Sequence, residues 1–286
     1  MRLSNSFRIG RVGVVAFLVF WSLFPIYWSL NTSLTTTRAA QSRPPHFFPH
    51  PATLANYGTI FGMHVASFAS RSFGPDFGRS IVNIFVECFG ATGIALILAV
   101  LGAYAFARLN FTLKRPVFYA ILATMALPSY ATLIPVYRAM SVLGLVNTYA
   151  SVILVFVGAY LPLAFWIMFN YFESLPKELE QAAEIDGASF FSVLFRIMLP
   201  LSLPGMMTTG IVFFLSTWGM FLFPLVLTTS IQAQPATVFL TTLQGQHLVP
   251  YTLINATGIT VIAIPALMAM FLNRFIVRGI LAGSSK

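Results

Sequence analysis

Six long apolar stretches of this chain contain almost no charged residues, and they limit its fold more than any other feature. They cover residues 12–34, 81–107, 117–140, 149–172, 205–227 and 253–272. A helix needs about 20 apolar residues to cross a hydrocarbon core about 30 Å thick, and each stretch is that long. Only 8% of the 286 residues are charged, too few for a water-facing surface. The sequence predicts an all-α polytopic membrane bundle of six transmembrane helices, forming one transmembrane domain over residues 1–286.

The distribution of basic residues predicts the orientation of these helices. Counted in alternate connections, 11 of the 16 Lys and Arg residues lie on the side of both termini, and 5 lie on the other side. The first group is Arg2, Arg8, Arg11, Arg108, Lys114, Arg115, Lys177, Arg196, Arg274, Arg278 and Lys286. The second group is Arg38, Arg43, Arg71, Arg79 and Arg138. Because Lys and Arg collect on the cytoplasmic side of membrane spans, both termini are predicted to be cytoplasmic, with an outer loop over 35–78 and a cytoplasmic loop over 173–203.

The net charge of +9 therefore reflects the basic residues on the cytoplasmic side of the spans and not a nucleic-acid site. We expect membrane lipid around the chain and no nucleic-acid partner. The sequence also lacks the G-x-S-x-G and H-E-x-x-H patterns of common hydrolase sites. Its single cysteine, Cys88, excludes an intrachain disulfide and a Cys-based metal cluster. We predict a non-catalytic chain without catalytic or metal-binding residues.

The cytoplasmic loop concentrates most of the acidic residues. Five of the seven Asp and Glu residues fall between positions 173 and 186. A first short helix is predicted over 176–186, because proline suits a first helical position and Gly187 suits the left-handed residue beyond a helix end. A second helix is predicted over 189–198, stopped by Pro200 and Pro204.

The first helix has the features of a docking element. One face is formed by residues at helical spacing, namely Leu179, Ala182, Ala183 and Asp186. Glu180 and Glu184 are a like-charged pair that a basic partner surface would relieve. The alternative is a helix lying on the membrane surface, but such helices favour Lys and Arg on their polar face. Docking to a protein is the favoured interpretation.

The loop resembles the cytoplasmic signature of the inner-membrane permease subunits of binding-protein-dependent ABC importers. That signature is Glu-Ala-Ala, three residues, Gly, nine residues, Ile, one residue, Leu-Pro. The matching residues here are Ala182, Ala183, Gly187, Ile197, Leu199 and Pro200, with Gln181 in place of the first Glu. The segments ATLANYGTIF, LGAYAFARLNF, LIPVYRAMSVLGLVNTY and NRFIVRGILAG are typical of the carbohydrate-type branch, in its maltose-permease-like second subunit. The resemblance covers nearly the whole chain.

This resemblance implies a permease for a carbohydrate or related polar solute in a bacterial or archaeal cytoplasmic membrane. The implied partners are a second homologous permease subunit, two cytoplasmic nucleotide-binding ATPase subunits and an external solute-binding protein. ATP and Mg are expected on the ATPase subunits, because this chain has no phosphate-binding G-x-x-x-x-G-K-[ST] loop, and no cofactor is expected in the chain itself. The implied ATPase-coupling interface is Glu180, Gln181, Ala182, Ala183, Glu184, Asp186, Gly187, Ile197, Leu199 and Pro200.

Polar residues within the apolar stretches are candidates for the translocation path. Asn83 and Glu87 continue a stripe that begins at Arg79 and reaches Gly90. It should face protein or water, since a charge in lipid costs about 2.5–3.5 kcal/mol. Two interpretations stay equally open, a surface of the path or gate and a structural charge pair with a neighbouring helix. Trp218 and Asn255 are further candidates for the path.

Two other functions compete with the importer permease. A secondary transporter would use acids within the membrane, but Glu87 is the one acid clearly inside a predicted span. A structural assembly subunit without direct substrate contact is the second alternative. ATP-dependent uptake by the full set of partners would distinguish the importer from both.

Overall fold

The computed structural model describes residues 5–63, 73–244 and 249–284. Within these ranges the regular structure is helical, and pairing of extended backbone is confined to one bridge between Thr35 and Ala52. Three basic residues used in the orientation prediction, Arg2, Arg71 and Lys286, lie outside the described residues.

Fourteen α-helices occupy the described ranges. In chain order they are α1 (Asn5–Ser33), α2 (Thr37–Ala40), α3 (Ala55–Ile60), α4 (Phe73–Arg108), α5 (Lys114–Ala123), α6 (Ser129–Val142), α7 (Tyr149–Ser174), α8 (Glu178–Ile185), α9 (Phe190–Val193), α10 (Leu199–Leu201), α11 (Leu203–Trp218), α12 (Leu222–Leu227), α13 (Ala236–Gln244) and α14 (Tyr251–Ser284). Thr124–Ala126 forms a 3-10 turn and Leu194–Met198 forms a π-helical turn.

Four of these helices are long and apolar enough to cross a membrane, namely α1, α4, α7 and α14. Two further spans are bent pairs of helices within the described ranges. Residues 114–126 and 130–142 meet at 102°, and residues 190–201 and 203–218 meet at 70°. The six predicted spans correspond to these elements when each bent pair counts as one span.

Breaks beside prolines divide two of the predicted spans into separate helices. The predicted span 117–140 breaks at Leu127, which is extended because it precedes Pro128. The predicted span 205–227 ends at Trp218, and α12 is a separate short helix. A continuous helix there would force the ring of Pro224 against the carbonyl of Met220, and the break at 219–221 avoids this clash.

Internal contacts divide the chain into two compact units. The first consists of residues 1–79 and 239–264, and the second of residues 80–238 and 265–286. The prediction of one transmembrane domain stays a prediction.

In the first unit, hydrogen bonds fix the chain that follows α1. The Asn56 amide donates to the carbonyls of Ser33, at 2.8 Å, and Thr35, at 3.1 Å. The Tyr57 hydroxyl is 2.8 Å from the Ser33 hydroxyl. The predicted outer loop 35–78 is too long by six residues, since α4 begins at Phe73, where Asp76 in the first turn complements the helix dipole.

In the second unit, α4 packs against both α7 and α11. Near its start α4 contacts the start of α7, through Asn83 and Tyr149, and near its end it contacts the end of α7, through Tyr104 and Phe172. The two helices therefore run parallel. Contacts with α11 run in opposite order. The rings of Phe85 and Trp218 lie 5.2 Å apart, and those of Phe89 and Phe214 lie 4.9 Å apart. These directions agree with the predicted topology, in which spans two and four cross the membrane in one direction and span five crosses it in the other.

Candidate functional site

The segment between α7 and α11 contains the predicted coupling interface. Helix α8 has Glu178 and Glu180 in its first turn, where acids complement the helix dipole. Gly187 follows it with φ +79°, a left-handed conformation that suits glycine, as predicted. Ser189 then caps α9 by accepting a hydrogen bond from the Ser192 amide. We call residues 178–201 the coupling segment.

The predicted end of the second helix at Pro200 is wrong. The chain continues from α9 through the π-helical turn into α10 and bends only at Ser202. Pro200 lies in the first turn of α10 and Pro204 in the first turn of α11. A proline in a first turn loses no helical hydrogen bond, because the amide there has no partner in the helix. Pro204 therefore begins the helix after the bend, whereas Pro200 follows the π-helical turn inside the run 190–201 without ending it.

Glu180 faces the interior of the chain. Its side chain is 10% exposed and its Oε1 accepts a hydrogen bond from Arg108 Nε at 2.5 Å. Its Oε2 accepts a bond from the Tyr104 hydroxyl at 3.3 Å. The like-charge repulsion expected between Glu180 and Glu184 is therefore relieved by Arg108 of the same chain. A basic partner surface is not needed for Glu180.

Ala183 shares this inward face, one turn after Glu180, and is 9% exposed. Ala183 therefore faces this chain and not the exposed side of α8, because the pairing of Glu180 turns positions 180 and 183 inward, and its part in docking stays a prediction. The outward residues of the predicted set are Gln181, Ala182, Glu184, Asp186 and Gly187. Glu180 is also unable to replace the signature acid missing at position 181, since the two side chains point to different sides.

The exposed surface of the coupling segment combines apolar and acidic side chains. Ile185 is 86% exposed, Phe191 67% and Phe195 55%. Pro200 is exposed, whereas Ile197 and Leu199 are half-buried. These apolar side chains were absent from the predicted interface, although their spacing on two short helices was visible in the sequence.

The two stripe residues within the predicted span, Asn83 and Glu87, are buried in protein, as expected for polar residues in a span. Asn83 is fully buried, and its amide donates to the carbonyls of Ile231 and Gln234, both at 2.9 Å. Its carbonyl oxygen accepts a 2.6 Å hydrogen bond from Tyr149. Asn83 therefore anchors α7 and the chain after α12, and its place on the translocation path stays a prediction. Arg79, where the stripe begins, is exposed.

Glu87 differs from Asn83. It is fully buried, and neither of its carboxyl oxygens has a hydrogen-bond partner among the described residues. One turn further along α4, a Cβ on Gly90 would lie 2.9 Å from Ile153 Cδ1 of α7. Asn83 and Gly90 both meet α7, so Glu87 between them lies against the same helix. The structural charge pair considered for Glu87 is absent from the described part of the chain.

Trp218 and Asn255 are separate from this stripe. Trp218 is buried, and its ring packs against Phe85 and, at 5.5 Å, against Phe214. Asn255 is half-buried and donates to the Tyr251 carbonyl of its own helix. Packing accounts for the Trp218 ring, but its Nε1 is buried without a hydrogen-bond partner among the described residues. The place of both residues on the path stays a prediction.

A cavity of about 460 Å³ lies in the second unit. The polar part of its wall includes Thr124, Thr132 and Tyr160, and its apolar part includes Met220 and Phe223. None of the predicted path residues lines it. Leu127 and Met220, which lie beside the two helix breaks, both line it. The breaks near Pro128 and Gly219 are therefore the signals in the sequence that point to this region.

Comparisons with known proteins agree on one family. A model of the family described as binding-protein-dependent transport system inner membrane component matches residues 91–282. The sulfoquinovosyl glycerol transport system permease protein of Agrobacterium fabrum is 31% identical, over 99% of this chain and 96% of that protein. The trehalose/maltose transport system permease protein of Thermococcus litoralis is 30% identical, over 92% of this chain and 91% of that protein.

The fold also resembles a solved structure. A chain of a bacterial ABC transporter involved in the import of the acidic polysaccharide alginate superposes with a TM-score of 0.77. The superposition covers 96% of this chain and 97% of that one, at 22% sequence identity. At this identity the similarity concerns the fold alone.

Proposed function

We infer the function from one premise: this chain belongs to the family of binding-protein-dependent transport system inner membrane components. It is a multi-pass protein of the cytoplasmic membrane and a non-catalytic permease subunit of an ABC importer. A secondary transporter is not favoured, and neither is a purely structural subunit.

We propose that the substrate is a carbohydrate or a related polar solute. Relatives with sulfoquinovosyl glycerol and trehalose or maltose in their names support this class. The cavity beside Tyr160 and Thr132 offers hydroxyl groups and an aromatic ring, which suit a polyhydroxylated solute. An external solute-binding protein would deliver the substrate, and a second homologous permease subunit would complete the path.

We propose that the coupling segment docks onto one of two separate ATPase subunits, which carry ATP and Mg. The observation that carries this proposal is the exposure of Ile185, Phe191 and Phe195 beside the acidic Glu184 and Asp186. Apolar side chains at a membrane-proximal loop gain from burial in a protein cleft, at about 25 cal/mol per Å². Closure of the ATPase subunits would then displace α8, and rigid helices would pass this displacement to the membrane spans.

Substitution of Ile185 by Asp tests this docking. Ile185 is 86% exposed, so an Asp there leaves the fold of the chain intact and places a charge in the proposed contact. We expect loss of co-purification with the ATPase subunits and of ATP-dependent uptake in proteoliposomes. Leu113→Asp is the matched control, since Leu113 is 65% exposed in the basic turn after α4, outside the coupling segment. Unchanged co-purification and uptake with Ile185→Asp would overturn the docking proposal, and uptake without ATP would overturn the importer itself.

A further inference from the structure

We propose that Arg108 is a positioning residue that ties α8 to the end of α4, so that displacement of the coupling segment moves α4 directly. This inference rests on the proposed docking of the coupling segment. It adds a second route into the membrane beside the covalent route through the 70° bend into α11.

The ion pair between Arg108 and Glu180 is shielded from water. The two side chains are 6% and 10% exposed, with Nε and Oε1 2.5 Å apart. Arg108 Nη2 also donates to the Leu175 carbonyl at 3.2 Å. Leu175 is the residue that follows α7. One guanidinium group therefore holds the end of α7 and the first turn of α8 at the last residue of α4.

Tyr104 reinforces this connection from the preceding turn of α4. Its hydroxyl donates to Glu180 Oε2, and its ring centroid lies 5.4 Å from Phe172 and 5.2 Å from Phe190. Phe172 belongs to the last turn of α7, and Phe190 begins α9. The last two turns of α4 thus contact the end of α7, the first turn of α8 and the start of α9.

The chemistry of the connection favours transmission of movement over stability alone. A charged pair that is shielded from water adds little net stability compared with apolar side chains of similar size, because removing both charges from water is costly. It does fix distance and direction, since charge-assisted hydrogen bonds are short and directional. Between α4 and α11, by contrast, the contacts include aromatic pairs such as Phe89 with Phe214, which have no charge-assisted hydrogen bond.

Four variants of the complete transporter test this inference: Arg108→Ala, Glu180→Ala, the double alanine variant, and the exchange Arg108→Glu with Glu180→Arg. Each single variant leaves one buried charge unpaired, so we expect a lower melting temperature and weaker co-purification with the ATPase subunits. The double alanine variant removes both charges and should regain much of both properties. Its uptake per ATP hydrolysed should nevertheless stay about tenfold below wild type, within the usual range for coupling between sites. The exchange variant should recover most of that loss.

Recovery of uptake per ATP in the double alanine variant, in step with melting temperature, would overturn the inference. The pair would then serve only the fold. A result in which Ile185→Asp abolishes co-purification while the double alanine variant transports normally would leave the docking proposal standing and reject the connection through Arg108. A result in which Ile185→Asp has no effect would reject the docking itself.

Distances between spin labels give an independent measurement. One label replaces the exposed Glu178 at the start of α8 and the other replaces Leu101, a 43% exposed residue of α4, in a complete transporter with Cys88→Ala. The distance should be the same in nucleotide-free and ATP-trapped complexes, and should change with nucleotide when Arg108 and Glu180 are alanines. A distance that changes with nucleotide in the unaltered pair would overturn the inference.

Discussion

Glu180 and Glu87 are two shielded glutamates in one unit, and their surroundings differ. Glu180 has a guanidinium on one carboxyl oxygen and a phenolic hydroxyl on the other. Glu87 has no hydrogen-bond partner among the described residues, although it is completely buried. A carboxylate requires compensation when it leaves water. Glu180 therefore connects α8 to the cytoplasmic end of α4. Glu87, nearer the other end of α4, has no such compensation among the described residues.

The largest effect is expected from Glu180→Gln. The substitution leaves the guanidinium of Arg108 shielded from water without its carboxylate, which should cost about 3 kcal/mol of stability. Thermal unfolding of the purified chain in detergent measures this loss. Glu184→Gln, on the exposed side of the same helix, is the control and should unfold like wild type. Equal stability of the two variants would remove the distinction between the inward and outward sides of α8.

An intermediate effect is expected from Asn83→Ala, on the same stripe as Glu87. The carbonyls of Ile231 and Gln234 lose their donor, which should cost about 1–3 kcal/mol. Hydrogen exchange should also become faster in residues 228–235. Tyr149→Phe removes only the hydroxyl that donates to Asn83, so it should give a smaller change in both measurements. Unchanged exchange in Asn83→Ala would show that this residue does not hold the segment.

The smallest effect is expected from Glu87→Gln. The amide has nearly the shape of the carboxyl group, and no described donor is lost, so stability should change by about 1 kcal/mol or less. The unfolding measurement used for Glu180→Gln makes the two values directly comparable. A large loss of stability would reveal a partner of Glu87, and a loss of uptake at normal assembly would assign Glu87 to the translocation path.

Elements with a local cause were predictable from the sequence. Helix α7 was predicted over 149–172 and is observed at Tyr149–Ser174, because this stretch is continuously apolar before Glu173. Gly187 was predicted to adopt a left-handed conformation, because glycine has no side chain that opposes it, and it does so. Both signals depend only on neighbouring residues in the sequence, so they can be interpreted without knowledge of tertiary contacts.

Features set by distant contacts were not predictable. Pro128 breaks a span while Pro135 continues inside α6, although both are prolines in an apolar stretch. Which face of α8 turns inward depends on Arg108, which lies 72 positions before Glu180. The cavity likewise depends on which helices meet around it. For the face of α8 and for the cavity, tertiary packing decides between options that local chemistry leaves equal.

The link between Arg108 and Glu180 also limits how the coupling segment can be exchanged between relatives. A graft of residues 173–203 from one permease into another brings the acid without the base that compensates it, since the base lies in a different span. The unit of exchange is therefore the loop together with the end of α4. Sequences that change one member of this pair should change the other, so positions 108 and 180 are expected to vary together across the family.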